Sequence, residues 1–237
     1  MSLTAKAQNA PITEPQLMYT KSNLVGIDLN SFKYGGIYYR AGWHKTGSRQ
    51  NHYEVELCRI KHPKEVRRSS VLSDNPTQFT FGRENVVFFL RNGFGQTITI
   101  TERPYKNAVG LNFIYTLGAS LALLKPVYLD VYYPYNDGSG RSYLVSEKYD
   151  PEKHTDIFRI YGNSSFTSGL SETKLNLGGY GRAGLQVEWG PYPDETRSLE
   201  AGITLEAFSK GIPIMAHSNA DQLFFGLYIA FNWGKKS

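Results

Sequence analysis

Residues 222–237 read QLFFGLYIAFNWGKKS. Every second residue from Leu223 is large and apolar: Leu223, Phe225, Leu227, Ile229, Phe231 and Trp233. Phe224, Gly226, Tyr228, Ala230 and Asn232 stand between them. A period of two places these sets on opposite faces of a strand. The run ends in a tryptophan, then a glycine, then two lysines. An apolar face followed by an amphipathic ring and then by charge is the order in which a strand leaves a bilayer.

The pattern recurs. Leu199, Ala201, Ile203, Leu205 and Ala207 oppose Glu200, Gly202, Thr204 and Glu206. Leu185, Val187 and Trp189 oppose Gln186 and Glu188, and Tyr180 and Arg182 share the polar phase. Val109, Leu111, Phe113, Tyr115, Leu117, Ala119, Leu121 and Leu123 align over another long run. Ile37, Tyr39, Ala41 and Trp43 oppose Tyr38, Arg40 and His44, and Tyr53, Val55 and Leu57 oppose Glu54, Glu56 and Cys58. Such strands exceed the usual five or six residues and span an apolar band of about 25 Å when tilted. A soluble sandwich would turn the apolar faces inward. A membrane barrel turns them outward, and its opposite-sign charges fill and pair across a narrow lumen. Trp43, Trp189, Phe231 and Trp233 near strand ends fit an aromatic girdle. The expected lipid-facing set is Trp43, Trp189, Leu223, Phe225, Leu227, Ile229, Phe231 and Trp233. Leu227→Arg should cost about 2–4 kcal/mol at the bilayer midplane, with Glu206→Gln mild by comparison.

Connector lengths set the strand count. The joins at 46–51, 103–107 and 190–197 are short, and those at 62–84, 125–174 and 209–222 are long. Short periplasmic turns and long external loops give that alternation. Counting back from a descending last strand requires an ascending one at 24–30, where Val25, Ile27 and Leu29 alternate. The fold expected is all-β, a closed antiparallel transmembrane β-barrel of eight strands. Ten is the alternative if Asn92-Gly93 turns a hairpin inside 86–103. Residues 19–237 form this single domain. Residues 1–18 read as a signal-peptide remnant and N-terminal extension: MSLTAKAQ ends in small residues but lacks the charged and apolar regions of a full signal. A plain unstructured N-terminus fits them equally.

Several function classes lose support. No apolar run approaches the length of a membrane helix. One cysteine, Cys58, allows neither an internal disulfide nor a CxxC metal site. The net charge of +5 carries no nucleic-acid motif with it. No cofactor and no metal site is expected. A site from His44, His52 and Glu54 is the one metal arrangement to test.

The stretches IKHPKEV (60–66), LLKPVYLDV (123–131), GGYGRAGL (178–185), GIPIMAHSNADQLF (211–224) and LYIAFNWGKK (227–236) resemble a family of outer-membrane β-barrel proteins of Bacteroidota. The last strand departs from the barrel C-terminal signal at Phe224, where a polar residue is usual. The resemblance implies the bacterial outer membrane and an accessory role, as a subunit of a larger barrel, lipoprotein or secretion assembly. It supplies no catalytic residues. Candidate contacts with that partner, or with outer-membrane lipid and lipopolysaccharide, are Lys61, His62, Lys64, Arg67 and Arg68, Lys125, and the apolar connector Ile212, Pro213, Ile214 and Met215, which packs either on a partner or equally on the barrel's own rim. Lys125 is expected to snorkel to the interface, and Pro126 to end its strand. The rival readings are a small pore and an enzyme acting on lipid A or phospholipid through a serine–histidine pair at the rim, with His217-Ser218 and Ser164, Ser165 and Ser168 as its candidates.

Overall fold

A computed structural model describes residues 19–30, 33–70, 77–102, 108–135, 140–190, 192 and 194–237. The reading of residues 1–18 as a signal remnant lies outside them. The strands are, in chain order, β1 (Lys21–Asn30), β2 (Lys33–Thr46), β3 (Arg49–Ile60), β4 (Arg67–Ser69), β5 (Gln78–Thr80), β6 (Asn85–Thr101), β7 (Gly110–Pro126), β8 (Tyr128–Pro134), β9 (Ser142–Lys148), β10 (Ile160–Asn163), β11 (Lys174–Trp189), β12 (Glu195–Ile212) and β13 (Asp221–Lys236).

Eight of them close into a barrel in the order β1-β13-β12-β11-β7-β6-β3-β2. Its neighbours all pair antiparallel, and β1 closes on β13 from Ser22↔Lys236 to Asn30↔Tyr228. The 86–103 stretch is one strand, so the count is eight and the ten-stranded alternative falls. Gly93 pairs with Glu54 on one side and Gly118 on the other, inside continuous ladders. A side chain there would meet the Leu117 carbonyl and the Tyr180 hydroxyl at 2.7 Å. The glycine makes room for a lumenal tyrosine instead of turning the chain.

Burial settles which face is inside. Leu227 is 65% exposed and Ile229 54%, while Glu54, Glu56, Glu200 and Glu206 are wholly buried. A wall of exposed leucine, isoleucine and phenylalanine around buried carboxylates inverts the order of a water-soluble protein. It matches a bilayer outside and a polar interior within. Trp43, Trp189 and Trp233 share the rim that carries the short turns. The opposite rim is the mouth, where the long connectors leave.

The described parts of those connectors are structured. β4 and β5 form a two-stranded ribbon, and β8, β9 and β10 a sheet in the order β10-β8-β9. Single 3-10 turns cover Ile157–Arg159 and Leu170–Glu172. Phe79, Val127, Leu129, Val131, Tyr149 and Ile160 make a second core beneath this sheet. The segment after Pro126 therefore packs on itself and on Phe79 of β5.

Candidate functional site

Along the lumen-facing phase, the chemistry changes with height. The middle is ionic. Arg40 reaches Glu54 at 2.6 Å and Glu200 at 3.0 Å. Arg91 meets Glu206 at 2.7 Å and Glu56 at 2.9 Å. Arg182 lies 3.1 Å from Glu200 and 3.3 Å from Glu54. Its guanidinium sits over two tyrosine rings, 4.1 Å from the Tyr228 centroid and 4.7 Å from that of Tyr38. The Tyr228 hydroxyl donates to Glu200 at 2.7 Å, and the Tyr38 hydroxyl donates to Asn232.

Burying a charge is tolerable only when a partner and hydrogen bonds replace its water. Closure of the barrel supplies both, by bringing together residues far apart in sequence. Glycines on the same phase make the space: a Cβ at Gly184 would lie 2.4 Å from the Tyr228 hydroxyl. Glu206 accepts from Arg91 Nε at 2.7 Å, from Arg91 Nη2 at 2.7 Å and from Ser120 at 3.0 Å. The expectation that Glu206→Gln is mild therefore fails, because that carboxylate balances a buried guanidinium.

The mouth is apolar. Cys58, Ile60, Val87, Phe89, Ala122, Leu124, Phe208 and Phe224 point into the upper lumen, and Ile212, Ile214 and Met215 pack with them. Phe89 lies 4.6 Å from Phe208 and 5.5 Å from Phe224, centroid to centroid. This accounts for Phe224 at a position where barrels usually carry a polar residue: it is part of a plug.

Of the two readings of the apolar connector, packing on the barrel's own rim is the one observed, and its place among the partner contacts is corrected. Ile212, Ile214 and Met215 are buried in the chain's own mouth, and Pro213 beside them is half-buried. The Pro213 carbonyl accepts from the Asn85 side chain at 2.8 Å. Leaving such a patch exposed is unfavourable, and the nearest apolar surface was the chain's own.

Lys125 does not snorkel. It lies on the outer phase one residue before the end of β7 but is buried, with Nζ 5.1 Å from the Phe166 ring centroid. Segment 163–166 covers it, which a strand pattern alone does not show. Lys61, Lys64, Arg67 and Arg68 are exposed on the mouth side, and His62 is half-buried. The lipid-facing candidates, from Trp43 and Trp189 through Leu223, Phe225, Leu227, Ile229, Phe231 and Trp233, all lie exposed on the outer wall.

The metal arrangement does not assemble. His52 bonds Thr116 at 2.9 Å and Thr97 at 3.3 Å, and the Glu54 carboxylate is taken by Arg40 and Arg182. Among the described residues no group of three potential ligands stands close enough to hold an ion. His217 and Ser218 do not pair with each other: Ser218 Oγ instead meets His62 Nε2 at 3.3 Å. His62 Nδ1 accepts from the Lys64 backbone at 3.1 Å. In the neutral ring Nε2 then carries the proton and donates to the serine, so it cannot take the serine's proton.

Sequence reasoning missed Arg91 and the apolar mouth. Arg91 sits in the stretch whose strand status was open, although its period-two spacing from Phe89 was available.

No family model and no curated protein matches the chain. Among solved structures it is similar to Neisserial surface protein A, at 9% identity and a TM-score of 0.43, over 92% of this chain and 96% of that one. It is also similar to the N-terminal β-barrel domain of Pseudomonas aeruginosa OprF, at 4% identity and a TM-score of 0.38, over 91% and 98%. A third is Ail, the attachment invasion locus protein of Yersinia pestis, at 13% identity and a TM-score of 0.36, over 92% and 99%.

Proposed function

We propose that this chain is an integral barrel of the bacterial outer membrane that anchors an external sheet, and that it serves as an accessory subunit of a larger barrel, lipoprotein or secretion assembly. One observation carries the subunit reading. Outside the barrel, β9 pairs with β8 along one edge and has no strand on the other among the described residues. An unpaired strand edge is a template for a partner's strand. Tyr143 and Leu144 on β9 and Tyr135 beside it are exposed, and the Tyr135 and Tyr143 rings lie 4.9 Å apart. Aromatic residues of this kind serve well as interface anchors. The motif resemblance to Bacteroidota barrels points the same way.

The pore reading has less support, because the lumen holds an ion-pair network beneath an apolar plug. A cavity of about 50 Å³ at the turn-side end is lined by residues up to Arg40. The enzyme reading has less support, because Ser218 meets His62 and not His217, and His62 Nε2 donates to that serine.

The test is purification from outer-membrane fractions in mild detergent, with mass spectrometry of what accompanies the protein. Stoichiometric recovery of a larger barrel or lipoprotein, lost in a Tyr143→Asp/Leu144→Asp double variant that still folds, is the expected result. A lone protein with single-channel conductance, or altered lipid A in a deletion strain, would overturn the subunit reading.

A further inference from the structure

A cavity of about 230 Å³ opens on the outer wall of the barrel at the mouth rim. Its lining includes Arg59, Arg83, Lys125, Ser164, Ser165 and Phe166, with no carboxylate among the described lining residues. Lys125 is buried, and the hydrogen bond it makes is a long one of 3.5 Å to the Pro126 carbonyl. Arg83 gives its Nη2 to Glu65, and its Nε is buried without a partner. A buried lysine without a carboxylate is costly, and an incoming anion offsets that cost. The Ser164 and Ser165 hydroxyls add donors of the kind that bind phosphate oxygens.

The position of the cavity says which anion. Lys125 pairs in register with Val86, and Arg59 with Phe88. Two residues below Arg59 on the same outer face stands Leu57, opposite Leu90. Both leucines are exposed on the lipid-facing wall. Phe166 closes the upper side, edge-on to Phe88 at 6.5 Å. A ligand here meets cations and hydroxyls at the rim and an apolar wall directly beneath, which is the order of charge and hydrocarbon in a membrane lipid.

We propose that this cavity is a headgroup site for a phosphorylated membrane lipid, whose phosphate lies among Lys125, Arg59 and Arg83 and whose acyl chains run down the wall of Leu57, Phe88 and Leu90. The proposal rests on the outer wall facing lipid, and the two fail differently: a wall that does not face lipid leaves the protein soluble without detergent, whereas a failed site leaves an inserted barrel with no phosphate preference.

The test uses the full chain in a neutral detergent, with lipid A, enzymatically dephosphorylated lipid A and inorganic phosphate as probes, and native mass spectrometry of retained lipid as the readout. Lipid A should bind about tenfold or more tightly than its dephosphorylated form, since a charge-assisted bond is lost with the phosphate. Lys125→Met and Arg59→Gln should each weaken lipid A binding about tenfold, with folding confirmed by heat-dependent migration on gels. If Lys125→Met does not fold, Arg59→Gln decides the matter alone. The control Lys61→Ala/Lys64→Ala on the exposed connector should bind as the wild type does. Equal affinity for both forms of the lipid, full binding by Arg59→Gln, loss of binding in the connector control, or inorganic phosphate binding as tightly as lipid A would each overturn the proposal.

Discussion

Two levels of one lumen solve the same filling problem in opposite ways. The middle holds Arg40, Arg91 and Arg182 against four glutamates, while nearer the mouth β6 and β12 present Phe89 and Phe208, and β7 and β13 present Leu124 and Phe224. Both levels are buried, and both sit inside an apolar wall. In the middle, lipid surrounds the barrel and among the described residues no loop reaches in, so side chains of facing strands pair across the full width. At the mouth the connector through Ile214 and Met215 folds back and supplies apolar surface. Whichever chemistry fills a narrow barrel is thus decided by what can reach it, with lumenal position alone insufficient.

Removing one charge from the middle should have the largest effect. Arg182→Met leaves Arg40 as the one arginine between Glu54 and Glu200 and should cost about 3–5 kcal/mol, read as a fall in the denaturant midpoint for refolding into lipid vesicles. A cost as small as that of a surface change would break the contrast. Next comes the wall itself. Leu227→Arg should cost about 2–4 kcal/mol in the same assay, and a neutral result would place that face outside the bilayer. At the mouth, Met215→Leu keeps the volume of the plug and should cost less than about 1.5 kcal/mol. If it matched Arg182→Met, the mouth would be as exacting as the middle.

The smallest effect is local and depends on pH. Partial burial alone would push the Glu147 carboxyl up, but hydrogen bonds from Lys153, Tyr133 and His154 outweigh it and hold it at about 2. The ordinary value is 4.5, so the folded sheet binds this proton less readily than the unfolded one. Its contribution is complete above about pH 4.5 and is lost as the pH falls towards 2. Protection of the β8 and β9 amides, taken relative to intrinsic exchange at each pH, should therefore fall across that window while the barrel strands keep theirs, and Glu147→Gln should abolish the difference.

Much of the wall was legible because period two is a local signal: six alternate residues from Leu223 to Trp233 suffice to define a face. The strand count followed from connector lengths, save for Asn92-Gly93, where a glycine placed for packing mimics a turn. The lumen was legible as polar but not as a network, because Arg91 and Glu206 stand 115 residues apart and meet only when β1 closes on β13. Phe224 stood out as a departure, yet its meaning required Phe89 and Phe208 beside it. The burial of Lys125 beneath Phe166 and of Ile212, Ile214 and Met215 within the mouth were invisible for the same reason: a long connector's path over the barrel leaves no periodic trace.

The central claim is that the apolar phase touches lipid while the interior is filled. The measurement that tests it most directly is nuclear Overhauser contact between acyl chains and the side chains of β13 in lipid nanodiscs. The account predicts contacts at Leu223, Phe225, Leu227, Ile229 and Phe231, and none at Phe224, Tyr228 or Ala230. Lipid contacts at Tyr228 and Ala230, or contacts with no alternation along the strand, would contradict it.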